Sequence, residues 1–240
     1  SDAGGIATIR VGMVGTVARV LLPSLTERLL EKTPLANIEL VIDSTANLQR
    51  QLANRDIDVA FLVGVIYEPS IRAIWIANLQ LEWLGSAALS THKTYRAKDL
   101  AEQRIVTFEA GTQISQEIEA TLKQAKPGSE PQRIGCTSVE AIVELVRLGM
   151  GIGTLPAAAV QAEIDRGEIK VLPSTVRLPV FDIFACFPTD SPSSVGASIA
   201  DIAQRLCRPL AARCPATSQL RTVKTTRRTR PPSTSKADSR

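Results

Sequence analysis

Residues with hydroxyl groups or small side chains recur where a predicted strand gives way to a predicted helix. Four such turns occur, and their candidate binding residues are Gly15, Thr16 and Val17; Ser44 and Thr45; Phe108, Gly111 and Thr112; and Thr137 and Ser138. The first N–H groups of a helix have no partner within the helix, and the helix dipole is positive there. Such turns favour an anion. Together they predict a site for a small carboxylate that needs no buried Lys or Arg.

Each hydroxyl also has a simpler interpretation as a helix cap. Thr16, Ser44, Thr112 and Thr137 all stand where a cap is preferred. The binding interpretation depends on whether the four turns face one gap, so both alternatives stay open at this point.

The first 65 residues alternate between strand and helix patterns. Apolar runs at 9–14, 38–42 and 57–63 predict strands, and the first intervening helix has apolar residues three and four positions apart, namely Val17, Val20, Leu21, Leu25 and Leu29. Pro34 ends that helix. Short links between such elements predict a parallel sheet with right-handed crossovers.

The middle of the chain repeats this pattern. Strands are predicted at 81–89, 104–108, 132–136, 152–155 and 169–172, followed by 181–187 and a final helix from Ser193. Thr137-x-x-Glu140 forms a capping-box pattern, and Gly149 is suited to end the helix that follows.

The pattern as a whole predicts an α/β fold of two Rossmann-like lobes joined by two crossover strands. Residues 6–81 with 187–212 form the first lobe, and residues 82–186 form the second. Ligands of open α/β sheets bind beyond the carboxyl ends of the strands. We therefore expect the site in the cleft between the lobes.

Charge is distributed unevenly along the chain. Residues 205–240 contain ten Lys or Arg and one acidic residue, which leaves 18 basic and 23 acidic residues in 1–204. A folded domain that bound nucleic acid would be expected to carry basic charge on its own surface, and residues 1–204 are net acidic. Residues 213–240 have too few apolar side chains to form a core, so we expect a disordered basic tail there.

The sequence lacks the residue patterns that metal sites, dinucleotide-binding loops and catalytic sites need. The four cysteines have no metal-site spacing, and His92 is the single histidine. The glycines of 149–153 run from helix to strand, opposite to a dinucleotide loop. We expect no catalysis, cofactor or metal, and the cysteines to be reduced thiols, which favours the cytoplasm. No apolar run is long enough to span a membrane, and residues 1–5 lack the charged and apolar segments of a signal peptide, so we expect neither.

Charged and aromatic residues near the predicted turns have mainly structural interpretations. Arg10, Arg19 and Arg133 are expected in salt bridges, although any of them could pair with an anionic ligand. Asp56 and Asp58 are expected to cap or pair at a strand entrance. Trp75 and Trp83 are expected to pack near the lobe connection.

Short motifs between residues 6 and 207 resemble the effector-binding domain of LysR-type transcriptional regulators. They include Ile9-Arg10-Val11-Gly12 leading to Leu21-Leu22-Pro23, the run 52–60 with its Asp before a strand, Cys136-Thr137-Ser138-Val139-Glu140-Ala141, and the glycines of 149–153 followed by Leu155-Pro156. Their order and spacing carry the resemblance more than any single motif.

The resemblance implies a fold like that of type II periplasmic binding proteins. It also implies that the domain senses a small metabolite, commonly an organic acid, and controls DNA binding through an N-terminal winged helix-turn-helix. No suitable helical pair precedes Ile6, so we expect no DNA-binding domain in this chain. Members pair through this domain as homodimers, or as tetramers in full-length proteins. The helix at 17–30 of one subunit would pack on the helix at 139–148 of the other, although their apolar stripes could equally serve burial within one chain.

Two other function classes are alternatives to a sensor domain. A periplasmic solute-binding protein of a transport system shares the implied fold. A small α/β enzyme is disfavoured because no nucleophile–base pair can be assembled from the motifs.

Overall fold

The computed structural model describes residues 7–64, 66, 68–89, 93–126, 128–189 and 195–211. His92, Cys214 and the tail predicted at 213–240 lie outside the described residues, so the expectations about them stay predictions.

The chain begins with the predicted alternation of strands and helices. The elements are β1 (Thr8–Met13), α1 (Gly15–Lys32), β2 (Asn37–Ile42), α2 (Thr45–Ala53) and β3 (Val59–Val63). β1 pairs in parallel with both β2 and β3. The next element, β4 (Ile71–Gln80), was not predicted from the sequence. It is an edge strand whose burial pattern is irregular, so it lacks the clear period-two signal of a half-buried strand.

The second sheet follows after a single residue, Leu81. Its elements are β5 (Glu82–Ser86), α3 (Ala97–Ala101), β6 (Ile105–Phe108), α4 (Gln113–Gln124), β7 (Arg133–Cys136), α5 (Val139–Arg147), β8 (Ile152–Leu155), a 3₁₀ helix (Ala157–Val160), α6 (Gln161–Asp165) and β9 (Ile169–Val171). The strand predicted at 81–89 is therefore shorter than expected, and the short helix α3 was missed. Gly149 has a φ of 73° at the end of α5, the conformation predicted for it.

The last two elements return to the first sheet. β10 (Val180–Pro188) lies between β3 and β4 and is antiparallel to both, and α7 (Val195–Ala211) follows it. The strand orders are β2-β1-β3-β10-β4 and β7-β6-β8-β5-β9. The two-lobed α/β architecture is confirmed, with mixed rather than purely parallel sheets. The placement of residues up to 186 in the second lobe is wrong, because all of β10 pairs within the first sheet.

One hydrophobic core continues through both lobes. The α1 stripe of Val17, Leu21, Leu25 and Leu29 is buried in the same cluster as Trp83 at the lobe junction and Ile118 of α4. The apolar stripe of α1 is thus buried within its own chain, as is that of α5. None of the helices in the described ranges is long and apolar enough to cross a membrane.

The two tryptophans provide a matched test of the lobe junction. Trp83 is buried and its indole Nε1 donates to the carbonyl of Val176 at 2.7 Å, whereas Trp75 is 46% exposed and donates to Asp182. Trp83→Phe leaves a buried carbonyl without its donor and should lower the free energy of unfolding by about 1–3 kcal/mol. Trp75→Phe should lower it by less than about 1 kcal/mol. Urea unfolding of both variants checks this, and equal losses would contradict the assigned role of Trp83.

Candidate functional site

Two of the predicted turns lie side by side on the first sheet. β1 and β2 are parallel and in register, with Met13 opposite Ile42. α1 begins directly after β1 and α2 directly after β2. Gly15, Thr16, Ser44 and Thr45 therefore occupy the same edge of the sheet, at the carboxyl ends of its parallel strands.

The second sheet brings its two predicted turns together in the same way. β6 and β7 are parallel, with Phe108 opposite Cys136, and the amide of Glu109 donates to the carbonyl of Cys136 at 3.0 Å. The turn that contains Gly111 and Thr112 thus neighbours the turn that contains Thr137 and Ser138.

The two pairs of turns approach each other across the gap between the lobes. A methyl group placed on Gly15 would lie 3.1 Å from Cγ2 of Val139, so the start of α1 faces the start of α5. A methyl group on Gly64, after β3, would overlap the Gln113 side chain at the start of α4. The structure therefore places all four turns around one gap. Their contact with a ligand stays a prediction.

Three of the candidate hydroxyls act as helix caps. Ser44, Thr112 and Ser138 accept hydrogen bonds from the amides of Asn47, Ser115 and Ala141 at 3.2, 3.2 and 3.3 Å. Thr112 and Ser138 also donate, to the carbonyl of Glu109 and to Glu140. The capping box predicted at Thr137 and Glu140 is not formed, because α5 begins at Val139, so that Ser138 is its N-cap and Ala141 is its third residue.

The start of α1 is different, because no side chain caps it. Its N-cap residue is Val14, which has no side-chain oxygen, so the amides of Gly15, Thr16 and Val17 have no capping acceptor. Thr16 is 3% exposed, and its hydroxyl makes no hydrogen bond to the part of the chain that the structure describes. An 18-residue helix thus begins at the gap with uncapped amides, and Thr16 lies in its first turn.

The three arginines that the sequence offered as possible partners of an anion are all paired with acidic residues. Arg10 contacts Glu39 at 3.2 Å, Arg19 contacts Glu163 at 2.8 Å, and Arg133 contacts Glu119. Asp58 accepts the amide of Arg10 at 2.7 Å, which supports its structural interpretation at the entrance to β3.

Two acidic residues were missed by the sequence reasoning. Glu82 begins β5 opposite Leu155 at the cleft end of β8, and burial raises the pKa of its half-buried carboxyl. Glu163 is 8% exposed, and burial raises the pKa of its carboxyl, but the hydrogen bond from Arg19, a backbone hydrogen bond and the charges of Arg19 and Arg166 together hold that pKa below its usual value. The signal for Glu82 was an isolated acid between Leu81 and Trp83 in an apolar run.

The described cysteines are poorly suited to thiolate chemistry. Cys136, Cys186 and Cys207 are free and buried. Burial raises the pKa of all three thiols, to about 12 for Cys186 and about 11 for Cys207. A nucleophilic or redox-sensing cysteine needs the opposite shift.

A groove of about 310 Å³ lies away from the predicted site. It is lined by residues at the C-terminal half of α4 and the start of β7, including Leu122, Lys123 and Arg133. It is therefore at the amino end of the second sheet's parallel strands, opposite to the cleft, and we assign it no role in ligand binding.

Capping and binding can be separated at neighbouring residues. Ser138→Ala removes the cap of α5 and should lower the free energy of unfolding by about 1 kcal/mol. Thr137→Ala, at an exposed hydroxyl without a partner among the described residues, should change it by less than about 0.5 kcal/mol. Thermal and urea unfolding check both variants, and a larger loss for Thr137→Ala would show that the cap is misassigned.

Comparisons with known proteins agree with this architecture. Among solved structures, the reduced form of the OxyR2 regulatory domain from Vibrio vulnificus is 18% identical, with a TM-score of 0.71 over 86% of this chain and 99% of that one. The reduced OxyR regulatory domain from Pseudomonas aeruginosa is 20% identical, with a TM-score of 0.69 over 84% and 98%. These likenesses show the fold, which is the two-lobed fold predicted from the sequence.

Sequence comparisons identify the family. The regulator YofA of Bacillus subtilis is 25% identical over 68% of this chain and 55% of its own length, and a probable RuBisCO transcriptional regulator of Trieres chinensis is 25% identical over 70% and 58%. The chain spans about half the length of these relatives. The model of the LysR substrate binding domain matches residues 3–218. The chain therefore belongs to the LysR substrate-binding domains, the ligand-sensing regulatory domains of LysR-type transcriptional regulators.

Proposed function

We propose that this domain senses a small carboxylate bound in the gap between its lobes, at the start of α1. The observation that carries the proposal is the uncapped N-terminus of α1, where the amides of Gly15, Thr16 and Val17 have no capping acceptor and the hydroxyl of Thr16 has no partner in the described part of the chain. A carboxylate there would accept these donors and interact with the positive end of the helix dipole.

The ion pairs of the three candidate arginines support an anion held by amides rather than by an arginine. Arg10, Arg19 and Arg133 are engaged by acidic partners, so recruiting any of them would break an existing ion pair. Helix N-termini can hold a small anion without a counter-charge. The neighbouring turns at Thr45 and Thr137 would supply hydroxyls for other polar groups of the effector.

We further propose that effector binding controls the DNA binding of a longer protein, through a winged helix-turn-helix outside this chain. Support comes from the relatives, which are HTH-type and other transcriptional regulators about twice as long as the matched region. Such a sensor acts in the cytoplasm and carries out no catalysis. A solute-binding protein of a transport system is less well supported, since the sequence relatives are regulators.

The domain is proposed to pair as a homodimer through apolar side chains left at its surface. The stripes of α1 and α5 are used for burial within the chain, which leaves other residues for pairing. On the first lobe these are Leu30, Leu40 and Ile42, and at the end of α5 they are Leu148 and Met150, all between 43% and 59% exposed. A two-fold arrangement would place each patch against the other patch of the partner.

The effector site can be tested with a panel of aromatic and aliphatic carboxylates. A member of the panel should raise the melting temperature, because a ligand that binds only the folded state stabilises it. Thr16→Val with Thr137→Val should weaken the affinity for that carboxylate about tenfold or more, since hydrogen bonds to charged groups contribute roughly 1.5–3 kcal/mol.

Thr121→Val is the matched control, because the Thr121 hydroxyl lies on the outer part of α4 and donates to the carbonyl of Glu117. It should bind the carboxylate as the wild type does. Equal binding by the double variant and the wild type would place the site elsewhere.

The pairing surface predicts opposite outcomes for three aspartate variants. Ile42→Asp and Leu148→Asp each bury a charge in the proposed interface and should convert dimers to monomers. Val195→Asp, also at an exposed apolar residue but at the start of α7, should leave the dimer intact. Sedimentation equilibrium measures the masses. Intact dimers with Ile42→Asp and Leu148→Asp would rule out this surface.

A further inference from the structure

Arg19 joins the two lobes by two hydrogen bonds. It lies on the second turn of α1 in the first lobe, and both of its partners belong to the second lobe. Its Nε donates to the carbonyl of Ala159 at 2.5 Å, and a terminal guanidinium nitrogen donates to Oε1 of Glu163 at 2.8 Å. The Arg19 side chain is 24% exposed and that of Glu163 is 11% exposed, so solvent screens the pair weakly.

The carboxylate of Glu163 depends strongly on this contact. Its second oxygen, Oε2, is buried and has no hydrogen-bond partner among the described residues. Arg166 lies 3.6 Å from Oε1 but also contacts Glu168 at 3.0 Å, so its charge is shared. A buried carboxylate that loses its close cation is strongly destabilised. Separating the lobes at this point would leave the Glu163 carboxylate buried without the charge of Arg19.

The contact also fixes the start of α1, where Gly15 and Thr16 face the second lobe. Arg19 is one turn from Thr16 on the same helix, and Gly15 already approaches Val139 closely. Movement of the 3₁₀ helix and α6 away from α1 would therefore widen the gap at the four turns.

We propose that the Arg19–Glu163 pair, with the bond to Ala159, is an inter-lobe clasp that holds the lobes closed and sets the resting population of the closed arrangement. A ligand that binds the closed arrangement has its apparent affinity reduced by the fraction of molecules that are open. The clasp would thereby tune the response of the sensor, and this consequence rests on the proposed function. The existence of the clasp does not depend on the proposed function.

Hydrogen exchange without any effector tests the clasp directly. Arg19→Met should speed amide exchange about tenfold or more in both contact segments, 15–20 on the first lobe and 157–165 on the second, because both lose their packing partner when the lobes part. The radius of gyration in solution should rise as well. Amides of β3, in the core of the first lobe, should be little affected.

Arg28→Met is the matched control, since Arg28 is on the same helix and pairs with Glu31 at an exposed position. It should leave both segments unchanged. The double variant Arg19→Met with Glu163→Met removes the buried charge, so it should be more stable than Arg19→Met alone. It should keep the faster exchange in both segments, and it replaces the single variant in this test if that variant does not fold. Exchange that rises only in α1, or equally in β3, would overturn the clasp. Because no effector is used, this result is independent of whether the carboxylate proposal holds.

Discussion

The parallel pairing of β1 with β2 and of β6 with β7 is the constraint on which the rest of the structure depends. Parallel strands end at one edge, so the helices that follow them also begin at one edge. Each lobe therefore directs two helix N-termini at the same gap, with Met13 opposite Ile42 and Phe108 opposite Cys136. Unsatisfied amides cannot be avoided at such ends. Three of the four helices satisfy them with a Ser or Thr cap, and α1 does not.

This difference separates a structural role from a binding role among turns that look alike in sequence. A cap uses the lone pairs of its hydroxyl for the helix itself, so Ser44, Thr112 and Ser138 have little left for a ligand. Val14 cannot cap α1, and the amides after it stay available. Arg19 has the other role, because its side chain joins the two lobes through Glu163 and is not left free to bind an anion. In this proposal, the first turn of α1 binds the effector and its second turn holds the lobes together.

Local patterns predicted the elements better than the connections between them. The spacing of Val17, Leu21, Leu25 and Leu29 predicted α1, and β-branched runs predicted β1–β3. β4 was missed because an edge strand with irregular burial has no clear period. The membership of β10 could not be read from the sequence, since strand order is decided by long-range pairing with β3 and β4. Within the site, the sequence located the four turns. The sequence did not show which of Thr137 and Ser138 caps α5 and which stays free. The observed start of the helix differs from the predicted one by a single residue, and local patterns do not define helix ends that accurately. The pair of Arg19 and Glu163 spans 144 residues and left no local signal.

Amide chemical shifts during titration with a carboxylate test the central claim most directly. A carboxylate that raises the melting temperature should shift the amide resonances of Gly15, Thr16 and Val17 most strongly, because hydrogen bonding to an anion changes the shielding of those protons. Smaller shifts should occur at the turns of Thr45 and Thr137 across the gap. Saturable shifts confined to other surfaces, such as the groove near Leu122, with the α1 amides unchanged, would contradict the account.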